Sequence, residues 1–489
     1  MSSHALARSY ILASALLCPT IALALTPVAS SASRRGAVKP TLAPVRPHAQ
    51  RTGRPLLSAD AALAGEGPPS QGAAVVPSII NLAKNIVGSG VLALAAGVAA
   101  ISGNRRALGP ALVVLFGLGG VSAYTFSLIA RVGDDVGAET YFDTWGKVVS
   151  ERSSVLVSAA ITFMTCAAAL SYAIIIGDSF SSIATLAGAP ALLQRPNPWI
   201  LIASVVLLLP LSLMRDLSAL AVGSVLGNLG TLFTAGFTLL RLADGSYAPG
   251  GRFHTAIAAA SRPALKASEP ALGPGVFVLV SMLATAYVAH YNAPTFYKEL
   301  APPQGGGSKL PRFNKVVAGG FALAALLSAA IMSGGFLTFG AATQGLILNN
   351  YATTDALALI ARVGIGASIV FSYPLNFNAM RGGFLKLLRL DKYAHRNDLH
   401  VAATVALMMA FNGLALFLKD LGLVVAVGGA VLGSAIVYIF PAIMFITNMR
   451  RKAAAGPLSA GERREVLLNK GLVALGAALG CLGAFMSLQ

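Results

Sequence analysis

The chain has 489 residues, of which 56% are hydrophobic and only 11% are charged. A composition this apolar excludes an ordinary soluble domain and indicates a membrane protein. The net charge of +18 comes from 36 Lys and Arg against 18 Asp and Glu. No basic run is interleaved with aromatic residues, so we expect no nucleic-acid partner. Cys18, Cys166 and Cys481 lie in apolar segments without metal-site spacing, which predicts neither a disulfide framework nor a metal site.

The N-terminal segment differs in composition from the rest of the chain. The apolar stretch YILASALLCPTIALAL follows a basic start and precedes small residues, so residues 1–33 are interpreted as a signal-peptide-like segment. Residues 34–75 are basic and proline-rich, which predicts a disordered, transit-peptide-like segment. Together they resemble the bipartite presequences of plastids of secondary endosymbiotic origin. The alternatives are a secretory signal with a disordered tail, or a cytosolic tail behind an anchor helix, with a vacuolar or plasma membrane as the destination.

Apolar windows long enough to cross a membrane recur from residue 76 onward. Lys and Arg concentrate in alternate loops between them, which supports both the number of windows and an inside N-terminus. We predict eleven windows, numbered in chain order: 76–101, 108–132, 154–177, 199–214, 217–242, 274–296, 314–339, 355–378, 399–418, 422–447 and 466–487.

Two of these windows are interrupted. The centre of the first holds the sequence Gly-Ser-Gly at 88–90, preceded by Asn81, Lys84 and Asn85. The sixth becomes polar and helix-breaking at 290–294, which contains Pro294. Interrupted segments five windows apart are typical of inverted-repeat transporters. The alternative for the glycines is close helix packing.

Six motifs in this order resemble the amino acid/auxin permease family: NLAKNIVGSGVLAL, LSYAIIIGDSFS, PLSLMRDLS, AYVAHYNAPTFYKEL, GGFLTFGAATQGLILNNY and SYPLNFNAMR. The resemblance is greatest to plant and algal vacuolar-type members and to animal sodium-coupled neutral amino acid transporters. It implies an all-α membrane protein of eleven helices with a LeuT-like five-plus-five inverted repeat, in which helices 1 and 6 are discontinuous. The transporter domain would be 76–487, with repeats at 76–242 and 274–447 and an extra helix at 466–487.

The resemblance and the helix breaks predict the same binding site. Free N–H groups at the first break suit a substrate carboxylate, and free carbonyls at the second suit its ammonium group. The absent glycine side chains would let a small zwitterion approach the backbone. The predicted substrate-binding residues are Asn85, Gly88, Ser89, Gly90, Val91, Ala289, His290, Tyr291 and Asn292. The side chains are mostly neutral, which favours a neutral amino acid.

The coupling ion is predicted to be H⁺ or Na⁺, with no other cofactor. Lys84 stands where sodium-coupled relatives have Asn, which favours protons, although a lysine near a helix end can also extend to the membrane surface. His290 could carry a proton or support the kink. Ser368 and Ser372 could bind sodium or join helices. With Asn81, these residues form the predicted ion-coupling set.

Four other side chains admit both functional and structural interpretations. Arg362 is expected to pair with Asp355 or to cap carbonyls, and Asp178 is expected near the membrane interface. Tyr287 and Tyr291 are either lids over the site or packing residues.

The fold and motifs favour secondary active amino acid transport by alternating access. A transport-like amino acid sensor is the main alternative. An intramembrane enzyme is disfavoured, because no paired ionisable residues or catalytic motif appear. The expected partners are an amino acid and membrane lipid, and the sequence leaves the oligomeric state open.

Overall fold

The structure is a computed structural model that describes residues 72–215, 221–303 and 307–488. The signal-like segment, Cys18 and nearly all of the transit-like segment lie outside the described residues. The described part is almost entirely helical, with two isolated backbone bridges in place of any sheet.

Sixteen α-helices follow one another in the described chain. They are α1 (Val75–Ile86), α2 (Leu94–Ile101), α3 (Leu108–Val136), α4 (Tyr141–Val148), α5 (Ser154–Leu186), α6 (Pro196–Ala203), α7 (Leu209–Leu213), α8 (Ala221–Ala243), α9 (Val276–Ala286), α10 (Ala293–Glu299), α11 (Leu310–Phe339), α12 (Ala356–Leu387), α13 (Asn397–Ala415), α14 (Leu421–Gly428), α15 (Phe440–Ala455) and α16 (Ala460–Met486). Short π-helical turns join α6 to α7 and α14 to α15.

The helices account for the predicted apolar windows. Within the described residues, nine helical stretches are long and apolar enough to cross a membrane, and α1 with α2 forms a tenth if this pair, bent by 53°, is one span. The fifth window coincides with α8, in which the shorter stretch Leu229–Ala243 is apolar. The exact number of eleven spans and the repeat boundaries stay predictions.

Several helix starts are fixed by local side chains. Thr140 begins α4, which no apolar window predicted, by accepting a hydrogen bond from Asp143 N. Asp355 accepts from Leu357 N at the start of α12. Ser459 and Glu462 form a capping box at α16. These contacts satisfy backbone donors that have no partner within the helix.

The packing of the broken helices determines where the site lies. α1 packs mainly against α11, whereas α2 packs against α9 and α11. α9 also packs against α14 and α16, and α5 packs extensively against α12. The two helix breaks therefore lie among α5, α12 and α14.

Hydrogen bonds hold the two broken spans together at both ends. Next to α1, Ala73 N donates to Glu299 O at 2.8 Å, which ties the chain before the first break to the end of α10. Beyond α2, Gly103 N donates to Glu269 Oε2 at 2.7 Å. Hydrogen bonds from Lys266 and from Gly103 N hold the pKa of Glu269 below its usual value. The carboxylate fastens the loop before α9 to the loop after α2 through these hydrogen bonds.

Candidate functional site

The first break separates α1 from α2. After α1 ends, Gly88 has an extended backbone (φ −103°, ψ −159°), and the 3₁₀ helix Ser89–Ala93 leads into α2. Ser89 and Gly90 are the first residues of this continuous helical segment, so their N–H groups have no partner within it. The break thus presents backbone donors at the positive end of a helix.

The second break separates α9 from α10. Between them lies the 3₁₀ turn His290–Asn292, and Asn292 N donates to Ala289 O at 2.9 Å. Pro294 lies in the first turn of α10, where its missing N–H costs nothing. The last carbonyls of α9 have no helical continuation, so this break presents backbone acceptors.

The two breaks meet directly. Asn292 Nδ2 donates to Asn85 Oδ1 at 3.2 Å, which joins the end of α1 to the turn before α10. A Cβ atom at Gly90 would lie 3.3 Å from Ala286 Cα, a contact tighter than most, so the absent side chain lets the two backbones approach. In contrast, a Cβ atom at Gly88 would meet nothing within 4 Å. Gly90 serves the contact between the breaks, and Gly88 borders open space.

A cavity lies where the breaks meet α5, α12 and α14. Its empty space, opening included, is about 600 Å³. The eighteen lining residues are Asn85, Ile86, Gly88, Ser89, Gly90, Met164, Thr165, Ala167, Ala168, Ser171, Tyr172, Thr285, Ala286, Val288, Tyr291, Asn376, Val424 and Val425. None of these residues carries a charge.

The structure brings part of the predicted substrate set to this cavity. Asn85, the three residues 88–90 and Tyr291 line it. Asn292 lies just behind Asn85. Val91 and Ala289 are buried and do not line the cavity. Their backbones are engaged within the breaks, since Val91 N donates to Gly88 O and Ala289 O accepts from Asn292 N. The residues at the end of α9, rather than Ala289, lie at the cavity wall.

His290 points away from the cavity. Its fully buried ring contacts α3, where Nε2 lies 3.1 Å from Ser122 O and 3.0 Å from Thr125 Oγ1. A carbonyl oxygen only accepts, so Nε2 carries the proton. The ring also packs edge-on against Phe126. The ring therefore fastens the turn between α9 and α10 to α3, and both roles considered for His290 stay predictions.

The other predicted ion-coupling residues also lie outside the cavity lining. Asn81 and Lys84 are half-buried on α1, and Ser368 and Ser372 are half-buried on α12. Ser368 Oγ lies against Gly227 of α8, so close that a side chain at position 227 would overlap it. Its hydroxyl therefore contacts a neighbouring helix, as expected for a residue that joins helices.

Sequence reasoning missed the contribution of the intact helices. Thr165, Ser171 and Tyr172 of α5 and Asn376 of α12 form much of the polar lining. Three of them occur in the family motifs LSYAIIIGDSFS and SYPLNFNAMR. The motifs could have suggested these three positions, whereas hydrophobic periodicity could not, since neither α5 nor α12 has its apolar residues on one side.

The remaining side chains take structural positions. Tyr287 is buried and donates to Leu115 O at 3.1 Å, so it is a packing residue. Arg362 caps the carbonyls of Leu348 and Tyr351, at 2.8 and 2.7 Å. Asp355 pairs with another arginine, as described below.

The carboxylates of Asp355 and Asp178 both have hydrogen-bond partners away from the cavity. The fully buried Asp355 pairs with Arg241 at 2.7 Å and accepts from Tyr247. Burial raises the pKa of Tyr247, which keeps that phenol a donor. Asp178 accepts from Asn349 at 2.7 Å. Neither carboxylate lines the cavity.

Two helix breaks around an uncharged cavity, in a bundle of apolar spans, define the class: a multi-pass membrane protein built like a secondary transporter. The chain belongs to the family described as transmembrane amino acid transporter protein, whose model matches residues 71–459. This finding confirms the family predicted from the motifs. It also agrees with the expectation of a transporter rather than an enzyme.

Relatives of known name are similar over most of the chain. A Danio rerio protein named "Putative sodium-coupled neutral amino acid transporter 11" is 26% identical over 392 residues, which cover 78% of this chain and 80% of the relative. Vacuolar amino acid transporter 5 of Schizosaccharomyces pombe is 24% identical over 386 residues, 78% of this chain and 86% of the relative.

The fold resembles a solved structure. The crystal structure of MhsT in complex with L-phenylalanine aligns with a TM-score of 0.53 at 13% identity, over 86% of this chain and 100% of that chain. Because MhsT has the LeuT fold, the predicted all-α, LeuT-like fold is confirmed, while the number of eleven helices and the details of the repeat stay predictions.

Proposed function

We propose that this chain is a secondary active transporter that carries neutral amino acids across a membrane by alternating access. The observation that carries the proposal is the uncharged cavity at the meeting point of two broken helices. The charged side chain of a cationic or anionic substrate would lie in this cavity without a counter-charge, which costs about 3–5 kcal/mol. A zwitterion with a neutral side chain avoids that cost. The names of the relatives, which include neutral amino acid transporters, support the same substrate class.

The two breaks would hold the two charged groups of the substrate. The N–H groups of Ser89 and Gly90 would bind the carboxylate, with the positive end of the helix adding to the attraction. The free carbonyls at the end of α9, near Ala286 and Val288, would accept from the ammonium group. Backbone groups of this kind recognise every amino acid, so selectivity has to come from the rest of the lining.

A panel of competing amino acids tests the substrate class. Purified protein in liposomes takes up a radiolabelled neutral amino acid, and unlabelled competitors are added at equal concentration. We expect neutral amino acids to compete and L-lysine, L-arginine, L-aspartate and L-glutamate to have little effect. Strong competition by a charged amino acid, with none by neutral ones, would contradict the assignment.

We further propose that transport is coupled to protons. Lys84 places a cation near the position where sodium-coupled relatives have Asn, and Ser368 directs its hydroxyl towards α8. The first feature disfavours a bound sodium ion near α1, and the second turns the Ser368 hydroxyl to a helix contact instead of an ion. We expect uptake to persist when choline replaces sodium and to stop when a protonophore is added. Loss of uptake in choline, with no effect of the protonophore, would show sodium coupling instead.

We propose a plastid membrane as the location. The support is the composition of residues 1–75, in which a signal-like segment precedes a basic, acid-poor stretch. A C-terminal fluorescent fusion of the full chain should colocalise with plastid pigment. Fluorescence on the vacuole or the plasma membrane would contradict this location and leave the transport activity unaffected.

A further inference from the structure

The wall of the cavity that faces the substrate side chain contains one amide in a fixed orientation. If the breaks hold the carboxylate and ammonium groups, the side chain is left to the walls formed by α5, α12 and α14. Most of those residues are apolar or small, such as Met164, Ala168 and Val424. Asn376 of α12 brings a carboxamide to these walls, beside the α5 hydroxyls of Thr165, Ser171 and Tyr172.

The orientation of the Asn376 amide follows from its partner. Asn376 Nδ2 donates to Thr165 O of α5 at 2.8 Å. A backbone carbonyl only accepts, so the NH₂ group must face α5, and the two ends of the amide cannot be exchanged. Among the described residues Oδ1 makes no further hydrogen bond. The cavity is thus offered a fixed acceptor.

Two neighbouring hydroxyls act in the same direction as the amide oxygen. Thr165 Oγ1 donates to Thr162 O at 2.7 Å, and Ser171 Oγ donates to Ala167 O at 2.9 Å, so both protons are used within α5 and the two oxygens can only accept from a substrate. The Tyr172 hydroxyl can donate or accept, and it can therefore adapt to either kind of substrate. Asn376 Oδ1 cannot adapt, because it only accepts.

We propose that Asn376 is a specificity-determining residue that selects neutral amino acids whose side chains donate a hydrogen bond, namely carboxamide or hydroxyl side chains. An apolar side chain of the same size would displace water from Oδ1 and leave it unpaired, which is penalised in a dry site. The inference rests on the proposed function, because it assumes that an amino acid occupies the cavity.

Pairs of amino acids that are nearly equal in shape test this selection. L-glutamine is compared with L-methionine, and L-threonine with L-valine, as competitors of radiolabelled uptake in proteoliposomes. We expect the donor of each pair to compete about tenfold better, the effect of roughly one hydrogen bond. With the Asn376→Leu variant the ratio should fall several-fold towards one. The Asn314→Leu variant, at an exposed position on α11, should keep the native ratio.

Each result bears on the assignment. A native chain that favours L-methionine and L-valine, or treats each pair equally, overturns it even if the Asn376→Leu variant does not assemble. An Asn376→Leu variant that transports with the native ratio also overturns it. Absence of uptake of every amino acid contradicts the proposed function itself, whereas uptake with a ratio of one contradicts only the role of Asn376.

Discussion

Replacement of Gly88 by leucine should close the cavity without disturbing the fold. The extended backbone of Gly88 is open to any L-residue, and a Cβ atom there meets nothing within 4 Å. The new side chain would therefore enter the open space that Gly88 borders, which is the cavity. Membrane insertion and helix packing should be unchanged.

The loss of uptake can be bounded from the size of the side chain. One methylene too many in a fitted pocket costs about 1–3 kcal/mol, so the four carbons of leucine should lower uptake by at least roughly 100-fold. The Gly88→Ala variant adds one carbon, and its rate of uptake should be about tenfold lower by the same estimate. The assay is the initial rate of radiolabelled uptake at equal protein content in liposomes.

A matched variant separates blockage from general damage. Gly117 of α3 also has nothing within 4 Å of a built Cβ atom, and it lies on an exposed face outside the cavity lining. Gly117→Leu should transport at the native rate, and both leucine variants should show native melting temperatures in detergent. Native uptake by Gly88→Leu would refute the placement of the substrate, and equal loss in both variants would show that the effect is not local.

Three further outcomes follow from named contacts. Gly90→Ala should lower both uptake and thermal stability, because its Cβ atom would press on Ala286; unchanged stability would contradict the close approach of the breaks. Asp355→Asn should destabilise the protein by about 3–5 kcal/mol, since Arg241 loses its buried partner, whereas Asp398→Asn, in an exposed pair, should have little effect on the melting temperature. His290→Ala should lower stability but keep the dependence of uptake on a proton gradient, because the ring contacts α3 and not the cavity; uptake that no longer responds to the gradient would make His290 the proton carrier.

Much of the fold could be predicted because length and hydropathy determine which segments cross a membrane. The paired breaks were also visible, since Gly-Ser-Gly at 88–90 and Pro294 stand out within apolar runs. The short helix α4 was missed, because its start depends on the Thr140 cap rather than on hydrophobicity. The meeting of the breaks through Asn85 and Asn292 is a tertiary contact that no single segment encodes.

The site was harder to predict than the fold. At a broken helix the direction of each side chain does not follow the helical period, so the sequence could not show that His290 faces α3 while Tyr291 faces the cavity. Thr165 lies in a long helix without a local signal, and although Asn376 belongs to a family motif, only the packing of α5 on α12 brings the two residues together. Likewise, the sequence could not show that Gly90 contacts α9 while Gly88 borders the cavity, because this depends on the neighbours of each glycine in the fold.

Uptake by the purified full chain tests the central claim most directly. Proteoliposomes would be given a radiolabelled neutral amino acid and an imposed proton gradient, beside liposomes without protein. We expect accumulation above the external concentration that collapses when the gradient is dissipated. Binding of the amino acid without accumulation would identify a sensor, and the absence of both binding and uptake would contradict the account.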